Sequence, residues 1–71
     1  MAENEITFLV REAPEGGYTA RALGESIFTE GDDWEDLQRM VRDVVQLRYD
    51  EGERPSVIHL LLVREETMLA A

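Results

Sequence analysis

His59 is the one imidazole among the 71 residues, and imidazole ordinarily exchanges protons near neutrality, so an acid–base reaction would turn to it first. On an extended segment Ile58 and Leu60 point to the opposite face, while Val57 and Leu61 share its own. No orienting group or pocket accompanies it, so it reads as a strand-surface or interface histidine. Ser26 and Ser56 stand outside any nucleophile elbow and read as turn and strand-edge residues. Asp32, Asp33 and Asp36 carry the oxygens that Mg²⁺ or Ca²⁺ take, yet the DDWED run lacks the ligand spacing and turn glycine of a calcium loop, and helix capping accounts for it. Glu15, Gly16 and Gly17 lack the full glycine pattern and the lysine of a phosphate loop and read as a hairpin turn. The chain has no cysteine and no lysine, which removes disulfides, thiolate zinc sites and Schiff-base chemistry. The expectation is a protein without catalytic residues, metal or cofactor.

Sixteen acidic residues against seven arginines leave a formal net charge of -9. A protein that tracks phosphates draws its affinity from displacing counterions with Lys and Arg, so direct nucleic-acid binding is not expected. Acidity of this kind either attracts a basic partner or simply holds a soluble surface away from self-association. A chain of this length makes one domain, here 1–71, and hides only about 60% of the surface its unfolded form exposes. With no disulfide or metal to staple a thin core, oligomerisation is the remaining support. There is no long apolar run and no basic leader ahead of one, so neither a membrane span nor a signal peptide is expected, and the cytoplasm is the expected location.

These side chains must be positioned by short elements around one helix. The stretch 31–49 reads as that helix, with Asp33 as N-cap, Glu35 and Asp36 at the positive end of its dipole and Arg48 in its last turn. Leu37, Val41 and Val44 define a buried stripe, widened by Trp34 and Val45 on one side and by Met40 and Leu47 on the other. Glu35 with Arg39 and Gln38 with Arg42 are i,i+4 pairs on the wet side, and Gly52 and Pro55 close the helix. Trp34 either staples the helix start or sits at an interface. Before the helix, after a polar lead at 1–5 expected to fray, strands are predicted over 6–11, 18–23 and 26–30. Ile6, Phe8 and Val10 share one face of the first. Pro14, Gly16 and Gly17 turn the chain into the second, whose Tyr18, Ala20 and Ala22 face the core, and Gly24 and Glu25 make a second turn.

After the helix, 57–64 is the most apolar run. Its alternating sets, Val57, His59, Leu61, Val63 and Ile58, Leu60, Leu62, are apolar on both faces, which is the habit of a central strand. One helix cannot cover both, so a second subunit is expected on the remaining face, making a homodimer or higher oligomer. The right-handed crossover rule places this strand parallel to the first and beside it. The fold class is therefore α+β, ordered β-β-β-α-β, with a mixed four-stranded sheet of order 3-2-1-4 and the helix on one face. The segment 65–71 is a tail.

The ordered set of a turn ending Gly16-Gly17-Tyr18, a third strand ending Thr29-Glu30-Gly31-Asp32 and an acidic helix start around Leu37 resembles the HicB-like antitoxin superfamily, including its small stand-alone, UPF0150-type members. The likeness spans 6–45. It implies the partial ribonuclease-H-like HicB fold, and it implies the role of masking a small basic RNA-cleaving HicA-like toxin, which suits an acidic surface. Two departures stand out. The loop after the second strand reads Ala22-Leu23-Gly24-Glu25-Ser26-Ile27 in place of a Pro-Asp-Leu-Pro-Gly-Cys type sequence, and no room is left for the DNA-binding module of full-length HicB antitoxins. Look-alikes of this short form also carry a 2-oxoisovalerate dehydrogenase subunit label, but no segment resembles a thiamine-diphosphate interface. The resulting expectation is a protein-binding module whose partner surface includes Asp32, Asp33, Asp36 and Glu25 and whose self-association uses Ile58, Leu60 and Leu62. The alternatives are an orphan structural or regulatory homo-oligomer without a toxin, and a small-ligand or enzyme domain at the subunit interface near His59.

Overall fold

A computed structural model describes residues 4–70; the first residues of the polar lead and the end of the tail lie outside that range. Strand β1 (Glu5–Glu12) alternates buried and wetter residues, and the turn that follows is closed by the Ala13 N–H donating to the Gly17 carbonyl at 2.9 Å. Strand β2 (Tyr18–Ala22) returns antiparallel with Phe8 opposite Ala22 and Val10 opposite Ala20. A short turn leads to β3 (Phe28–Gly31), antiparallel to β2 with Thr29 opposite Ala20. Helix α1 (Trp34–Arg48) and a 3-10 turn at Glu51–Glu53 then carry the chain to β4 (Val57–Val63), which runs parallel to β1 with Phe8 opposite Leu60. The sheet order is β3-β2-β1-β4, as the crossover argument requires.

The core lies between one sheet face and the helix. Phe8, Val10, Ala20 and Leu37 are fully enclosed, joined by Ile6, Ala22, Ile27, Val41 and Val45. The two alanines of β2 leave room for the helix to lie close. The buried helical stripe is Leu37, Val41 and Val45, with Val44 and Trp34 packed at its margins. Val45 therefore takes the place expected for Val44, and Leu47, expected at the margin, is 87% exposed. At 100° per residue Leu47 stands about 120° from Val41 around the helix, beyond the reach of the sheet.

Local chemistry sets the helix ends. Asp33 is extended, and its Oδ1 accepts from the Asp36 N–H at 2.7 Å, while Asp36 Oδ2 accepts from the Asp32 N–H at 2.9 Å, a reciprocal cap. Arg39 pairs with Asp36 instead of the expected Glu35, because the capped carboxylate is already held one turn back. At the other end the helix stops at Tyr49 in an extended conformation (φ -119°, ψ 142°), ahead of Gly52. Arg54 does the capping there: its Nη2 donates to the carbonyls of Gln46 at 3.3 Å and Tyr49 at 3.4 Å.

Although apolar on both faces, β4 is an edge strand. Ile58, Leu60 and Leu62 share the helix face with Ile6, Phe8 and Val10, and Ile58 and Leu60 are half-buried in a groove with Gln38, Val41 and Arg42. The uncovered face carries Val57, His59, Leu61 and Val63, and the register continues it as a row Phe28, Arg21, Leu9, Leu61 across all four strands. Phe28 is 61% exposed and Leu61 52%.

Candidate partner-binding surface

Three segments meet at one end of the molecule: the β1–β2 turn, the end of β3 and the start of α1. They meet through glycine. A Cβ on Gly17, whose φ is +82°, would sit 2.5 Å from the Gly31 carbonyl oxygen, and a Cβ on Gly31 would sit 2.5 Å from the Leu37 nitrogen. Only two residues without side chains let these backbones stack. Tyr18, opposite Gly31 in the register, follows directly, and its ring meets Trp34 edge to face with centroids 5.3 Å apart. Trp34 thereby pins the helix start to β2.

Around this junction the acidic side chains gather. One open groove is lined by Glu12, Pro14, Tyr18, Asp32, Asp33 and Trp34. A second, on the other side of the turn, is lined by Glu15, Glu30, Asp32, Asp36 and Arg39 among others. Asp32 borders both, and its carboxylate is exposed. Of the residues expected on a partner surface, Asp32, Asp33 and Asp36 are thus brought together, with Asp33 and Asp36 already engaged in the cap. Glu25 is placed elsewhere, 3.8 Å from Arg48 near the end of the helix, in a different groove with Leu23, Tyr49 and Pro55. Glu12, Tyr18 and Glu30 also line the acidic junction, although the sequence reading places Tyr18 on the core face and Glu30 in a strand-end motif and none of the three on a partner surface. Glu30 stands directly before Gly31, so the close approach of that glycine is the signal that points to it.

His59 has a companion after all. Its Nε2 lies 2.6 Å from Glu5 Oε1, on the open sheet face. The parallel register β1 to β4 brings them together, which no spacing along the chain could announce. The pair is half exposed; Glu5 borders the open groove with Leu23, Glu25, Tyr49 and Pro55, and His59 borders none, so the imidazole has a carboxylate to orient it but no enclosure for a substrate. Among the described residues no group of three or more His, Asp or Glu side chains is arranged to hold a metal ion, and no helix is long and apolar enough to cross a membrane.

A protein from Thermotoga maritima, named a UPF0150 protein, is 39% identical over 66 residues, covering 93% of each chain. The chain belongs to the UPF0150 family. A second UPF0150 protein, from Archaeoglobus fulgidus, is 52% identical over 52 residues, which is 73% of this chain and 77% of that one. No protein-family model matches, and neither does any solved structure. In this UPF0150 chain Gly17 and Gly31 hold the acidic junction together, and the β4 margin exposes Leu61 and Leu62.

Proposed function

We propose that this UPF0150 chain is a non-enzymatic binding module that acts as a homo-oligomer in the cytoplasm and masks a small basic protein of the HicA-like toxin kind. The observation that carries the reading is the acidic junction itself. The exposed Asp32 carboxylate stands between two open grooves, one of them lined by the paired rings of Tyr18 and Trp34. An arginine from a basic partner would find a carboxylate to pair with and aromatic edges and faces to pack against. The net charge of -9 adds long-range attraction for such a partner. The resemblance of the ordered GGY and TEGD motifs to HicB-like antitoxins supplies the identity of the partner class.

The test is a pull-down of the tagged protein from its native lysate, washed at low and then high salt, with stoichiometric partners identified by mass. A small basic protein, released by salt and lost in Asp32→Arg, is the expected result. Recovery of the protein alone overturns the masking role and favours an orphan regulatory homo-oligomer. One feature speaks for that second reading: the carboxylates of Asp33 and Asp36 are already spent on the helix cap.

A further inference from the structure

The two margins of the sheet are built differently. Strand β3 is four residues long, carries Glu30 and lies under the helix start, which are ordinary ways of blunting an edge. Strand β4 is seven residues long and has no charge, proline or bulge in it. Its free hydrogen-bonding groups can be identified. The Leu23 N–H donates to the Thr7 carbonyl on the β2 side at 2.9 Å, and both main-chain groups of a strand residue point the same way. The main-chain groups of Ile6, Phe8 and Val10 therefore turn toward β4, where they meet Val57, His59, Leu61 and Val63. Consistently, the Val57 N–H reaches the Asn4 carbonyl at 3.4 Å. The N–H and C=O groups of Ile58, Leu60 and Leu62 are left pointing out of the sheet.

We propose that a second copy of the chain adds at this margin, β4 against β4, antiparallel about a two-fold axis at Leu60, so that two four-stranded sheets become one of eight strands. This rests on the homo-oligomeric part of the functional reading and specifies its geometry.

Three observations choose a second copy as the occupant. First, the strand is self-complementary. Pairing Leu60 with its own copy sets Ile58 against the partner's Leu62, His59 against the partner's Leu61 and Val57 against the partner's Val63, and every outward N–H and C=O meets another. Such an interface is isologous and closes at two subunits. Second, charge allows it here. The run 55–63 contains no Asp, Glu or Arg, the longest such stretch in the chain. Stacking the open sheet faces would instead bring Arg11 and Arg21 of both copies toward one another. Third, the area requires more than the strand. An ordinary interface hides about 800 Å² per partner, roughly a seventh of the 5636 Å² exposed by the chain. A strand edge about 20 Å long and about 10 Å thick supplies only part of that. The segment after β4 supplies the remainder, since in this register it runs along the partner with Met68 and Leu69, which are 77% and 92% exposed in the single chain.

Proline at an outward-facing N–H tests the pairing. In Leu62→Pro no bond to β1 is lost, yet the partner's strand can no longer be approached at two symmetric places. The expectation from sedimentation equilibrium is a wild-type dimer at micromolar concentration, and a Leu62→Pro chain that keeps its circular dichroism while its dimer dissociates about 100-fold more readily. Leu60→Cys gives an independent answer, because the chain has no cysteine of its own and the paired Cα atoms, about 5.5 Å apart, suit a disulfide. Mild oxidation should link Leu60→Cys into a dimer and leave Phe28→Cys, on the opposite margin, monomeric on a denaturing gel run without reductant. A dimer that persists in Leu62→Pro, or a Leu60→Cys chain that does not cross-link, overturns edge pairing while leaving the homo-oligomer intact. A wild-type monomer overturns both, and the salt-washed pull-down still judges the basic partner separately.

Discussion

The acidic junction at the helix start and the β4 margin solve opposite problems. At the junction three backbones are pressed together by Gly17 and Gly31, polar groups are satisfied by a reciprocal cap, and charge is concentrated outward. At the margin β4 carries no acidic residue or arginine, its outward main-chain groups have no partner among the described residues, and apolar side chains such as Leu61 and Leu62 are exposed. The first region is finished as a single chain and would recognise something unlike itself. The second is unfinished and fits something identical. A small acidic domain with both proposed associations would separate them by physics alone, because screening by added ions would strengthen the one and weaken the other.

The sharpest way to break the comparison is to remove the junction. Gly31→Ala forces a Cβ into the Leu37 backbone, where neither side has a flexible end to move, and should cost about 3 kcal/mol. Thermal unfolding would record this as a fall in Tm of roughly 12–24 °C. Next comes the charge itself. Asp32→Arg, which leaves the cap carboxylates in place, should weaken capture of a basic partner about tenfold, or about 1.4 kcal/mol, without altering the sedimentation of the protein alone. Salt should then split the regions: raising it loosens the basic partner and tightens self-association, since copies that each carry -9 repel less when screened. A titration in which both move the same way would merge the two regions into one. Asp33→Ala removes the N-cap bond to the Asp36 N–H and should cost about 1 kcal/mol, read as a Tm lowered by roughly 4–8 °C, with oligomeric state unchanged. The smallest effect is expected at His59→Ala, within about 0.5 kcal/mol by denaturant titration, because its pair with Glu5 is half exposed.

Much of the fold was legible because it rests on local periodicity. Ile6, Phe8 and Val10, the alanines of β2 and the Asp33 cap follow from rules that need only neighbouring residues, and the parallel β4 follows from the handedness of its crossover. The third strand starts two residues later and ends one later than the expected 26–30, since Ile27 is buried in the turn and its carbonyl accepts from the Ala22 N–H. Leu47 looked like stripe because it is apolar, whereas its angle around the helix puts it on the wet side. The Glu5–His59 pair and the contact of Gly17 with Gly31 depend on register between distant strands and could not be read from spacing. Of the surface residues, the aspartates at the helix start were found by their density, and Glu25 was grouped with them only because acidity along a chain does not say which end of the fold it occupies.

The parallel pairing of β1 with β4 has a consequence for how the protein is made. Residue 6 is matched to residue 58, so the first strand synthesised waits for the last. At about 5–20 residues per second, the stretch from the end of β2 to the end of β4 takes about 2–8 s to make, during which Phe8 and Val10 lack their β4 neighbours. Closure of so distant a contact comes late and slowly, so until β4 is in place the hairpin keeps an apolar margin beside Phe8 and Val10 open to other chains.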